Sequence, residues 1–394
     1  MDDDDDDDDE RPIEEGGAGR RYGWPLFFLA TVFGAVSWTT TAAVVLELKR
    51  SLGTSVASTV EIALFTTWAT SLGASLSLVV ELCCGASTRG VLARLGPATS
   101  EAPPFVALYL GYMLLQGCAL LFVSATVVAL DSSASMVLWS AALSAAYLGA
   151  APTRNELAGL GLIAGALLVV GGAEEALGGG DDDGALASLS ADASIGVGAA
   201  FAMGALYAGT NVLYERVLTA RGDAVPALAL NGVVCASCFL LLTGVAYPAL
   251  GAAGVLDSGW AWLGAIRGTP GMAALFPAFV ASKLLWYSLE TLLVKDMGAI
   301  WTAISGVALI PLLWLTELVA HYAFDAFFGV SWTTPDSWCQ LAALFALVLG
   351  AVIYYGLWVV VPEPEETDAA PSPKPAAEPL MGPSRVKYDA RQRA

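Results

Sequence analysis

Uncharged apolar runs of about 20 residues recur along most of this chain, and they exclude most soluble folds. Each run is long enough to cross roughly 30 Å of hydrocarbon as a helix. Of the 394 residues, 56% are hydrophobic and only 14% charged, with a mean hydropathy of +0.65. Soluble domains carry charge at about 25% of positions, dispersed between their apolar residues. In lipid every backbone polar group must be satisfied internally, so the expected fold class is an all-α polytopic membrane protein. The net charge of -19 comes largely from a tail: Asp2 to Asp9, Glu10, Glu14 and Glu15 all precede the first apolar run at Trp24. That acidity says little about the folded part.

Ten transmembrane helices are expected, at about 24–46, 62–80, 104–128, 132–151, 157–173, 193–214, 225–247, 272–294, 297–320 and 338–361. The short fifth span carries Gly159, Gly161 and Gly165, which suit close helix contact. Alternating the spans places fourteen of the 18 Lys and Arg on the N-terminal side. Three (Lys49, Arg50, Arg267) fall on the other side, and Lys283 lies inside a span. The bias predicts both termini in the cytosol. The acidic start lacks the positive charge of a cleavable signal peptide, so the first run reads as a signal anchor. An endomembrane (Golgi, vacuole or lysosome-like) or the plasma membrane is the expected location.

Residues 1–23 and 362–394 are charged, proline-bearing and expected to be disordered cytosolic tails. An acidic glycine-rich linker at 174–192 divides the chain into a first five-helix repeat at 24–173 and a second at 193–361. Asp131-Ser-Ser-Ala134 followed by Ser140 aligns with Asp296-Met-Gly-Ala299 followed by Ser305 at a constant offset. Each match is expected at the start of the fourth span of its half. Five spans per repeat is an odd number, so the second copy enters the membrane in the opposite sense, as two inverted repeats.

This layout resembles the drug/metabolite transporter superfamily. Leu130 to Ser140 and Asn155 to Gly171 are similar to its fourth and fifth helices. Tyr214-Glu215-Arg216 and Val294-Lys-Asp-Met-Gly-Ala299 resemble motifs of its nucleotide-sugar-transporter-related and chloroquine-resistance-transporter-like branches. The ninth span reads Trp301-Thr-Ala-Ile-Ser-Gly306, without the Gly-Ala-Leu-Asn-Lys motif of GDP-sugar carriers. The resemblance implies a solute carrier working by alternating access, with the fourth and ninth helices bordering the solute path.

A charge at mid-bilayer costs at least about 2.5 to 3.5 kcal/mol on insertion scales, which singles out Lys283. It lies eleven residues into its span, with Tyr287 and Glu290 on the same helix face at i+4 and i+7. A phosphate or carboxylate on Lys283 makes an anionic solute, such as a nucleotide sugar or phosphorylated metabolite, the first expectation. An amino acid, peptide or cationic drug-like solute held by Glu290 and Glu317 is the alternative, and a non-transporting scaffold a further one. Ser140 and Ser144 in span four, with Ser133 and Tyr147 on the same face, and Thr302 and Ser305 in span nine, are candidate path residues; tight small-residue packing explains them equally. Gln116 and Asn211 are buried amides that need partners. Glu317 and His321 read as interfacial capping or a proton relay. Six cysteines lie in or beside apolar runs and read as small hydrophobes. No catalytic, metal or cofactor motif is found, so an enzyme is not expected. The expected partners are a small-molecule solute and the lipid bilayer, with no nucleic acid; a homodimer is left open.

Overall fold

The computed structural model describes residues 20–53, 55–84, 88–148, 153–177, 186–221, 225–256, 261–269, 271–324 and 336–354. These residues form helices and short connections, with no strand among them. The first half holds α1 (Arg20–Leu52), α2 (Val56–Cys84), α3 (Thr88–Phe122), α4 (Ala125–Leu148) and α5 (Arg154–Leu177). The second begins with α6 (Leu186–Arg221) and α7 (Ala227–Leu241), which passes through a π-helical turn, Leu242–Ala246, into α8 (Tyr247–Ala252). The turn falls just before Pro248, which has no N–H for the regular ladder. There Trp68 Nε1 donates to Thr243 Oγ1 at 2.9 Å. The short α9 (Ala261–Gly268) precedes α10 (Met272–Met297), α11 (Ala299–Phe324) and α12 (Asp336–Tyr354).

Among the described residues nine helices are long and apolar enough, by length and composition, to cross a membrane. This is the architecture of an integral multi-pass membrane protein. α5 is not among the nine; it is a 24-residue helix packed along α12. Glycine governs that contact: a Cβ on Gly159 would lie 2.6 Å from the carbonyl oxygen of Gly350. The expected tails lie outside the described residues except where α1 begins, at Arg20. The expected linker at 174–192 is shorter, because α5 runs to Leu177 and α6 starts at Leu186; 178–185 lie outside the described residues.

The largest departure concerns the third and fourth spans. Asp131 looks like an interfacial boundary in the sequence, yet it is 1% exposed and lies inside α4. The chain breaks instead at Val123 and Ser124, where the Ser124 carbonyl accepts from the Val128 N–H and the Ser124 hydroxyl accepts from the Val127 N–H at 3.4 Å. The corresponding break in the second half is Gly298, whose φ of +93 favours glycine. The Asp131 and Asp296 motifs therefore occupy different places: the first lies within α4, the second at the end of α10.

Helices of the two halves interleave. α1 packs on α10 and α11, α3 on α6 and α7, and α4 on α6 and α11, while α2 packs on α7 and α10. Two close crossings fix the centre. On α2, a Cβ at Gly73 would stand 2.6 Å from the Val280 carbonyl oxygen and 2.9 Å from the Lys283 Cβ of α10. On α6, a Cβ at Gly204 would stand 2.7 Å from Ser135 Cβ of α4. Small residues at these crossings let the backbones approach as lipid-embedded helices require.

Candidate functional site

α10 is 26 residues long, which puts Lys283 at its middle and Glu290 about 10 Å further along, given a rise of about 1.5 Å per residue. Both side chains are buried, Lys283 completely and Glu290 at 7% exposure. Their surroundings differ. The Lys283 ammonium makes no hydrogen bond and sits 5.2 Å from the Phe279 ring centre and 5.3 Å from that of Trp286. Aromatic faces attract a cation at this range, so the two rings replace part of its lost hydration.

Glu290 faces a two-lobed cavity between the halves. One lobe is walled by Trp38 of α1, Tyr112 of α3, Ser133 and Met136 of α4, Met203 of α6 and Ser305 of α11. The other holds Tyr109, Asn211, Tyr214, Asn231 and Thr291. Glu290, Tyr112, Tyr207 and Tyr287 border both lobes, and Lys283 borders neither. The space open to a water's centre is about 20 Å³ in the first lobe and about 10 Å³ in the second, room for one or two waters. In this conformation the cavity is nearly closed.

Three tyrosines, Tyr112, Tyr207 and Tyr287, belong to the shared wall, and Tyr109 adjoins them in the second lobe. Tyr112 lies 4.9 Å from both Tyr109 and Tyr207, ring centre to ring centre, and Tyr287 lies 5.7 Å from Tyr109. Trp286 lies 4.8 Å from Tyr287 and 6.5 Å from Trp38. The Tyr207 hydroxyl is turned toward the Glu290 carboxylate, and the Tyr109 hydroxyl toward Cys235 and Tyr287. The polar rim is pinned by helix contacts. Asn211 Nδ2 donates to Thr302 Oγ1 at 3.2 Å, Ser133 Oγ to the Gly306 carbonyl at 3.1 Å, and Ser305 and Thr31 hydroxyls meet at 3.3 Å.

The expected site residues thus divide. Tyr287, Glu290, Asn211 and Ser305 meet at the cavity, and Thr302 supports it through Asn211. Lys283 stands behind Trp286, which touches both. Gln116 is buried on α3, its Nε2 without a hydrogen bond, away from both lobes. Ser140 lies half-buried further along α4, because the helix starts earlier than expected and Ser132, Ser133 and Met136 take the cavity positions. Ser144 is in α4, and its side chain lies outside those described. Sequence reasoning missed Trp38, Tyr112 and Tyr207. Aromatic residues in an apolar span look alike whether they face lipid or a cavity, and only packing separates the two.

Glu317, read from the sequence as interfacial capping or a proton relay, is 2% exposed. It accepts a hydrogen bond from the Thr126 hydroxyl, with the backbone N–H groups of Ala125 and Thr126 turned toward it. It therefore caps α4 from a helix of the other half. A carboxylate also meets the start of α11, where the Ala299 N–H donates to Glu215 of α6 at 3.2 Å.

No family model matches this chain, and no curated protein matches it. Among solved structures, it is similar to one described only as "Crystal structure of protein", at 15% identity and a TM-score of 0.44, covering 83% of this chain and 98% of that one.

Proposed function

We propose that this protein is a secondary transporter that moves a small polar solute by alternating access, as two inverted repeats rocking around a mid-membrane site. The observation that carries the reading is the cavity itself. It is buried, it holds an ionisable group inside an apolar span, and its first lobe is lined from α1, α3 and α4 of one half and α6, α10 and α11 of the other. Polar and ionisable groups at that depth mark solute pathways.

The helix pairings support a repeat. If α1 to α4 correspond to α6, α7, α10 and α11, with α5 matching α12, the pairings exchange with one another. The α1–α10 contact becomes α6–α3, α4–α6 becomes α11–α1, and α2–α10 becomes α7–α3, while α2–α7, α4–α11 and α5–α12 map onto themselves. Opposed halves around a shared site favour a carrier over a scaffold. The closed cavity fits an occluded step of such a cycle. The positive-inside bias favours cytosolic termini, and the layout favours the drug/metabolite transporter superfamily.

Reconstituted protein tested for counterflow with nucleotide sugars, phosphorylated sugars, amino acids and organic cations decides the matter. Saturable uptake driven by the same solute preloaded inside is the expected result. Absence of counterflow for every solute, from folded protein that binds one of them, would sink the carrier reading.

A further inference from the structure

Resting on the transporter reading, we infer that the cavity takes an organic cation, an ammonium or amidinium joined to an apolar body, with Glu290 as its counter-charge. Among the described residues the cavity's one acidic group is Glu290, and no Lys or Arg borders either lobe. Around it stand Tyr112, Tyr207, Tyr287, Trp286 and Trp38, a set of ring faces that attracts a cation and repels an anion. Met136, Met203 and Leu309 in the same lobe offer adaptable apolar surface for the rest of the molecule. The second lobe adds amides and phenols able to donate to an acceptor on the solute.

The anion expectation rested on Lys283, and the geometry turns against it. Its ammonium lies between Phe279 and Trp286 rather than in the cavity, and the Gly73 crossing presses helix α2 against its Cβ. An anion entering the cavity would meet Glu290 first. Lys283 instead acts at a distance, about 10 Å along α10, as the resident positive charge that offsets Glu290 when no solute is bound. A bound cation takes over that role. Removal of the lysine charge therefore strengthens cation binding, whereas removal of the glutamate charge weakens it.

The test uses two probes of matched shape, benzyltrimethylammonium and benzyl phosphate, with full-length protein in lipid nanodiscs and in vesicles. Saturable binding of the ammonium is expected, with benzyl phosphate failing to compete. Glu290→Gln weakens it by about tenfold or more, as loss of a charged partner requires. Glu290→Asp restores part of the affinity, and Lys283→Met tightens it; monodispersity and thermal melting show that each variant is folded. Binding of benzyl phosphate that Lys283→Met removes would overturn the cation inference while leaving the carrier reading intact. Ammonium binding without counterflow would keep the site and overturn the carrier. No binding of either probe, or ammonium binding indifferent to Glu290→Gln, would overturn the inference.

Discussion

Two carboxylates are buried in neighbouring helices, and the protein treats them in opposite ways. Glu317 of α11 is met by the Thr126 hydroxyl and by the first N–H groups of α4, so its charge falls where an open helix end concentrates positive potential. Glu290 of α10 faces a cavity of rings, with the Tyr207 hydroxyl turned toward it and, among the described residues, no helix end beside it. The difference teaches what a buried charge is for. One whose partners are all backbone and hydroxyl holds helices together, and one left facing space is, on the carrier reading, the group that meets a solute.

The largest expected effect lies at Glu317. Replacement by Leu removes the cap on α4 and leaves its N–H groups in a low-dielectric setting, at a cost of about 2 to 4 kcal/mol. Thermal unfolding in detergent should fall sharply, and unchanged melting would erase the contrast. Thr126→Val removes one donor only and should cost about 1 kcal/mol, read from the same melting curves. Glu290→Gln should alter stability by less than about 1 kcal/mol while changing binding strongly, because few protein contacts depend on its charge. Greater destabilisation by Glu290→Gln than by Glu317→Leu would reverse the comparison. Asn211→Ala, which breaks the bond to Thr302 at the cavity rim, should cost about 0.6 kcal/mol, the average for a hydrogen bond between membrane helices. A loss far above that in unfolding measurements would make the rim, rather than Glu317, the structural anchor.

The helices were legible in the sequence because lipid permits few alternatives to a long apolar helix. Lys283 and Glu290 were legible for the same reason, since charge in such a run is conspicuous. The boundary between α3 and α4 was not, because a charge at Asp131 is a louder signal than a serine cap at Ser124, although the cap is the one that ends the helix. Burial of Glu317 was hidden too: its partner lies 191 positions away, at Thr126, and no local pattern announces it. The ring of Trp38, Tyr112 and Tyr207 comes from three helices, none of which has a periodicity that marks which side faces inward.

The narrowness of the cavity has an electrical consequence. Space for only one or two waters cannot hold an unbroken water file, and it offers protons or small ions no conducting thread through the centre of the bundle. On the carrier reading proposed above, charge would cross only when the halves move, in discrete turnovers, as through a lock with two gates rather than a pore.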